Sequence, residues 1–435
     1  MKSLAQHSDL IIAAVMADIA IVLLAGAVLG RASRYLRQPP VIGEIVAGIA
    51  LGPSLLGLLP GDLPHRLFPA EARPYLSAVA QVGLLVFMFG IGWELDKRLL
   101  EGRRRAAAAV SLSSIALAFG LGAGLAMLLY PHHSRVQGQH ISFTAFALFM
   151  GAAMSITAFP VLARILTEHR MMGSPVGALS LASAAIDDVL AWCLLAMVAA
   201  IVTASGSGDL AQIAVLAAVY VAVMFLVVRP LLAFLVRRWA RERVSSFLIV
   251  ALVAGLLLSS YATTWIGIHP IFGAFVFGFV TPREPFAVLR EGVKRPLDNI
   301  STVLLPVFFI VTGLNVDIGS ISGRGYVELV GIILVACAGK LIGAAVPGRV
   351  SGMPWRDAGT LGLLMNTRGL TELVILNAGV TLGVLDGQMF TMMVLMALVT
   401  TALAGPLLPN APVGADELPP LAAPKTQLAD TGSPT

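Results

Sequence analysis

Apolar residues recur along this chain in thirteen runs of a length that fits a lipid bilayer, and that pattern excludes most folds. A hydrocarbon core about 30 Å thick is crossed by roughly 20 helical residues. Lipid offers no partner to a backbone N–H or C=O, so such runs fold as helices that satisfy their own hydrogen bonds. The runs fall at about 10–30, 40–59, 75–95, 106–130, 141–166, 176–203, 211–236, 245–265, 267–281, 298–316, 326–347, 357–380 and 385–408. With 57% of 435 residues hydrophobic and 12% charged, residues 1–408 read as one all-α polytopic membrane domain of thirteen transmembrane helices. The first run lacks a cleavage site of small residues and is long enough to span, so it reads as a retained helix rather than a signal peptide. Residues 409–435, rich in proline and polar groups, are predicted to be a disordered cytoplasmic tail.

Lys and Arg give the orientation. Twenty-one of them fall in the loops on one side, including Arg103, Arg104 and Arg105, against five on the other: Lys2, Arg66, Arg73, Arg135 and Arg324. Positive residues stay on the cytoplasmic side, so the N-terminus is expected outside and the C-terminus inside. The net charge of +5 therefore marks topology and not a nucleic-acid partner. Cys193 and Cys337 have neither CxxC nor metal spacing and read as small buried hydrophobes.

Three charges lie where none is cheap. Asp187 and Asp188, in SAAIDDVLAW, sit inside the sixth run; Asp187 is about 18 Å along the helix from Pro175. Each costs about 2.5 to 3.5 kcal/mol at a helix centre, so a pair at that depth marks a functional site rather than a solvated boundary. Neighbours on a helix point about 100° apart, which frees the two acids for different tasks. Lys340 lies about 21 Å past Tyr326, too deep to snorkel, and pairing with Asp187 or with Asp188 would offset both charges.

Two runs are interrupted at mid-depth. The fifth carries SITAFPVLAR, in which Pro160 lacks a backbone donor and Ser155 and Thr157 can satisfy freed groups. The twelfth carries NTRGLTELV, where Asn366, Arg368 and Glu372 support the break and Arg368 and Glu372 are spaced to pair with each other. The fifth and twelfth helices cross in opposite directions. That is the pattern of an inverted repeat, helices 1–6 against 8–13, with two discontinuous helices crossing at the binding site.

The chain resembles the monovalent cation:proton antiporter family 2, which includes NapA-type exchangers, Kef systems and plant cation/proton exchangers. The matching text is QPPVIGEIVAGIALGPSLLG (38–57), GLLVFMFGIGWELD (83–96), SITAFPVLARIL (155–166), SAAIDDVLAW (183–192), GIHPIFGAFVFG (267–278), LLPVFFIVTGL (304–314), AGKLIGA (338–344) and NTRGLTELV (366–374). The resemblance implies a NapA/NhaA-like antiporter fold. Its dimer domain is expected about helices 1–3 and 8–10, and its core domain about helices 4–6 and 11–13. It implies a homodimer in a bacterial inner membrane, serving pH and cation homeostasis without a cofactor. It further implies that Asp188 carries Na+ or K+ and the proton in turn, that Asp187 pairs with Lys340 and helps hold the cation, and that Ser155 and Thr157 lie near the ion. Members with two acids and this lysine tend to be electrogenic. The tail lacks the Gly-rich βαβ module of Kef systems, so control by a dinucleotide or glutathione is not expected.

A carboxylate suits this task because it holds either a proton or a hard cation, not both. Sodium-coupled symport of an organic anion on a similar fold is the alternative, against which stand the scarce polar residues for such a substrate. An aspartyl protease needs carboxyls that face each other across a shared water, and adjacent positions on one helix point apart. A channel would show flux uncoupled from protons. His269, beside Pro270 at a helix start, reads as structural.

Overall fold

Prolines, glycines and small polar caps decide where each apolar run becomes helix. The structure is a computed structural model and describes residues 2–36, 38–94, 104–136, 138–171, 174–203, 207–240 and 244–408; the expected tail lies outside the described residues. In order come α1 (Lys2–Tyr35), α2 (Pro40–Leu51), the short α3 (Leu63–Leu67), α4 (Arg73–Glu94), α5 (Arg104–His133), α6 (Phe143–Ser155), α7 (Phe159–Glu168), α8 (Pro175–Thr203) and α9 (Ser207–Val223). Then follow α10 (Arg229–Trp239), α11 (Ser246–Ile266), α12 (Pro270–Val280), the short α13 (Phe286–Leu289), α14 (Arg295–Leu314), α15 (Gly323–Val350), α16 (Trp355–Met365), α17 (Leu370–Thr381) and α18 (Gly387–Leu407). A two-residue hairpin, Arg135–Val136 with Gln139–His140, follows α5.

The boundaries have local causes. Proline occupies the first turn of α2, α7, α12 and α14, where its missing N–H costs nothing. The Ser142, Ser245 and Ser322 hydroxyls cap α6, α11 and α15. Gly267, at φ 97°, ends α11 in a left-handed cap, so the eighth and ninth runs are separate helices. The second run differs from expectation: its α-helix stops at Leu51, Gly52 leaves it in an extended conformation, and the rest is a single 3-10 turn over Leu56–Leu58.

Among the described residues, ten helices are long and apolar enough to cross a membrane, joined by the shorter apolar Phe143–Ser155, Pro270–Val280 and Thr371–Thr381. The helices pack in two groups. In one, α14 lies against α2 and α4, α12 against α4 and α11, and α1 against α2. In the other, α5 and α15 form the main seam, with α6, α8, α16 and α18 around them. Among the described residues, polar contacts that join the groups include Asn377 Nδ2 donating to Thr312 Oγ1 (2.9 Å), the Asp317 N–H to Thr391 Oγ1 (3.2 Å) and Gln38 Nε2 to the Ala402 carbonyl (3.3 Å).

The α5–α15 seam is set by Gly339 and Gly343, four apart on α15. A Cβ at either would stand 2.8 Å from the Cα of Ala118 or Ser114 on α5. Without side chains the two backbones close up, the usual small-residue route to tight packing in lipid.

Candidate functional site

Both interrupted runs break where the sequence marks them. Residues 156–158 separate α6 from α7, and 366–369 separate α16 from α17. The breaks are tied together: the Ala158 N–H donates to the Thr367 carbonyl (3.0 Å), and the Thr157 hydroxyl lies 2.8 Å from the Met365 carbonyl. Arg368 reaches across from the second break to the first, with Nη1 donating to the Ala153 carbonyl (3.1 Å) and Nη2 to that of Met154 (2.7 Å). Its Nη1 also lies 2.9 Å from Glu372 Oε2, so the expected pair forms, with both side chains fully buried. Thr401 of α18 completes the support by accepting from the Arg368 N–H (3.0 Å) and donating to its carbonyl (2.7 Å).

The carbonyls freed at the breaks are shared out: the planar fork of Arg368 takes those of Ala153 and Met154, Ser155 donates to Ala152 in the last turn of α6 (2.8 Å), and the Thr157 hydroxyl lies 2.8 Å from the Met365 carbonyl at the end of α16. Ser155 is buried beside the break. Asn366 donates to Cys337 Sγ at 3.5 Å. Cys193 is exposed on the outside of the bundle, contrary to its reading as buried, because it follows the buried Trp192 and a one-residue step turns it about 100°.

Asp187 and Asp188 project from α8 into this crossing, both at most 1% exposed. Both oxygens of Asp187 have partners: Oδ1 accepts from the Ser111 hydroxyl of α5 (2.5 Å), while Oδ2 lies 3.0 Å from Lys340 Nζ and 2.8 Å from Thr157 Oγ1, whose one proton it shares with the Met365 carbonyl. The residues alone left the lysine's partner open; here it is Asp187, and Lys340 is fully buried. Asp188 differs. It accepts from the Phe159 N–H in the first turn of α7, where the free N–H groups and the positive end of the helix dipole favour an anion, and its Oδ1 has no hydrogen-bond partner among the described residues.

The charges sum in an informative way. With both acids ionised and Lys340 protonated, the buried cluster carries one negative charge. One added positive charge cancels it while Lys340 keeps its proton, and burying an uncompensated charge is costly.

Ser111 was not singled out by the sequence, nor was the Phe159 N–H or Thr401. The text SLSS in the fourth run held the signal for Ser111, but three serines within four positions do not tell which one faces an acid.

The pattern of the transmembrane sodium/hydrogen exchanger family fits residues 19–411. A Na(+)/H(+) antiporter of Synechocystis is 39% identical over 90% of this chain and 96% of its own length. K(+)/H(+) antiporter 1 of Saccharomyces cerevisiae is 34% identical over 86% of this chain, which spans 43% of that longer protein. Among solved structures, a sodium proton antiporter from Methanocaldococcus jannaschii shares the fold with a TM-score of 0.66, covering 91% of this chain and 96% of its own, at 15% identity.

Proposed function

Because the chain belongs to the sodium/hydrogen exchanger family and is a multi-pass membrane antiporter of monovalent cations and protons, we propose that Asp188 is the group on which cation and proton take turns. The observation that carries this reading is the contrast between the two acids. Asp187 is engaged through both oxygens by Lys340, Ser111 and Thr157, whereas Asp188 keeps one buried oxygen without a partner among the described residues, at the positive end of a half-helix. A hard oxygen of this kind, with hydroxyl and carbonyl oxygens near the breaks, is the donor set a monovalent cation takes.

The cycle turns on competition for the two acids, and it leaves the cation-loaded cluster one charge more negative than the proton-loaded one. In the proton-loaded form Asp188 is neutral and Lys340 holds Asp187, so the cluster is neutral. A cation arriving at Asp188 displaces its proton and draws Asp187 off Lys340, which releases a second proton. Two protons against one cation leave one net charge moved per cycle, which makes exchange electrogenic. Asp187 and Lys340 titrate as a coupled pair, so the second proton belongs to both.

The packing into two groups supports a mobile core, built on α5 to α8 and α15 to α18, sliding against a dimer domain built on α1, α2, α4, α11, α12 and α14. In this reading the thirteen runs are thirteen crossings in two inverted repeats, the N-terminus is outside, and the dimer forms through the exposed apolar face of α1, where Leu10, Met16, Leu24 and Val28 lie.

The test is Asp188→Asn in everted vesicles. The amide cannot alternate between a proton and a cation, so cation-dependent proton flux should fall to background. Normal exchange by this variant sinks the assignment.

A further inference from the structure

The same helices that hold Asp187 meet again far from it. His133, the last residue of α5, is 3% exposed and lies between two carboxylates: Nδ1 is 2.6 Å from Asp386 Oδ2 and Nε2 is 3.1 Å from Glu328 Oε2. Glu328 is on α15, about 18 Å along that helix from Lys340. Asp386 precedes α18 and caps it, with its Oδ1 accepting from the Met389 N–H (2.7 Å). One ring thus pins α5, α15 and α18, the helices that supply Ser111, Lys340 and Thr401 to the site.

A neutral imidazole has one N–H and can donate from one nitrogen only. Facing an ionised carboxylate on each side, only the imidazolium donates to both. The other charged groups around it act mainly on Glu328, whose Oε1 lies 3.4 Å from His132 Nδ1 and 3.7 Å from Arg324 Nε. The hairpin after α5 carries Arg135 and His140, the latter packed edge-on against Tyr130. An arginine in place of His133 would hold the two carboxylates at any pH. A histidine holds them only while protonated, and that makes the junction depend on proton concentration near neutrality.

Resting on the antiport reading above, we propose that His133 is a positioning residue, a proton-operated clamp that couples the pH at its face of the membrane to the rate of exchange. Loss of its proton leaves Asp386 and Glu328 repelling across a neutral ring. The ends of α5, α15 and α18 then spread, the Ser111 and Lys340 contacts to Asp187 loosen, and exchange slows. On the acid side, burial raises the Asp386 carboxyl, but the hydrogen bond from His133, those from the Met389 and Gln388 N–H groups and the imidazolium charge outweigh it and hold the carboxyl below the ordinary aspartate range. Its contribution is therefore complete above that range and is lost only as pH falls through the lowered value, which leaves the imidazole to govern the response near neutrality.

The experiment uses the full chain in liposomes, with the pH at the two faces set separately. Raising the pH at the His133 face from about 6 to about 9 should slow wild-type exchange roughly fivefold or more. His133→Gln should lose that slowing and keep only the dependence that the proton imposes as a substrate, which both proteins share. Glu328→Gln removes one of the two stabilising charges and should move the midpoint down by about one pH unit. A His133→Gln profile that matches wild type, or an unmoved midpoint in Glu328→Gln, overturns the proposal. The wild-type melting temperature in detergent should drop over the same interval, and it decides the matter even where His133→Gln fails to fold; a flat melting temperature there also overturns the clamp. Wild-type liposomes without cation-driven proton flux at any pH would count against the antiport reading instead, while the melting curve still tests the clamp.

Discussion

Among the described residues, the ammonium of Lys340 has its ion pair with Asp187, at 3.0 Å and zero exposure. Removing one partner of a buried ion pair costs about 3 to 5 kcal/mol, because the other charge is left alone. Here the Ser111 and Thr157 hydroxyls remain on Asp187 and soften that loss. In Lys340→Gln the proton-loaded cluster carries one negative charge, and so does the cation-loaded one. The variant should therefore keep exchange but lose its response to an imposed membrane potential, measured in liposomes with potassium and valinomycin setting the voltage. Voltage-driven exchange by this variant would remove Lys340 from the proton count. The depth of Asp187, Asp188 and Lys340 is legible in the sequence because charges inside apolar runs stand out against their cost. The partners of Asp187 are less so, since Ser111 is one of three serines in SLSS and a backbone N–H such as that of Phe159 has no identity in the text.

At the scale of the element, the decisive packing is the approach of α15 to α5. Gly343 leaves its would-be Cβ 2.8 Å from the Cα of Ser114, a backbone atom that cannot step aside. Gly343→Leu forces the helices apart and should cost about 1 to 3 kcal/mol, with exchange reduced about tenfold or more as Lys340 withdraws from Asp187. Gly331→Leu on the same helix is the control, for nothing lies within 4 Å of its would-be Cβ. Thermal unfolding and liposome exchange of the two variants check this; equal behaviour would show that the seam does not position the lysine. The breaks themselves were legible, from Pro160 and from the crowding of Asn366, Arg368 and Glu372. That Arg368 would cap the other broken helix was not, because a bond over 214 residues of chain leaves no local trace. The end of α2 at Leu51 differs, for Gly52 and Pro53 are a local stop signal inside a run whose apolar content continues, and apolar length alone passes over it.

For the whole molecule, the polar contact between the two helix groups bears on movement. Thr312 of α14 and Asn377 of α17 meet across that boundary at 2.9 Å. With Cys193 and Cys337 replaced by serine, Thr312→Cys and Asn377→Cys bring two thiols to the same place. Linking them with a short thiol cross-linker should lower exchange at least tenfold if the groups slide past each other, and a reducible linker should restore it on cleavage. Undiminished flux through the linked protein would exclude such sliding. The apolar runs made the bundle readable at this scale, because length and lipid leave one kind of fold. Which helices travel together depends on side chains meeting across the bundle, and no stretch of sequence contains both halves of that contact.

The bond from Ala158 to the Thr367 carbonyl, with Arg368 spanning the same gap, gives the deepest part of the molecule no joint of its own. A tug on either interrupted helix is felt by both, so in the mobile-core reading proposed above the surroundings of Asp188 keep one shape wherever the core sits. On that reading a passenger boarding from either side meets the same seat, and the direction of travel is set by the two solutions and the voltage between them rather than by the protein.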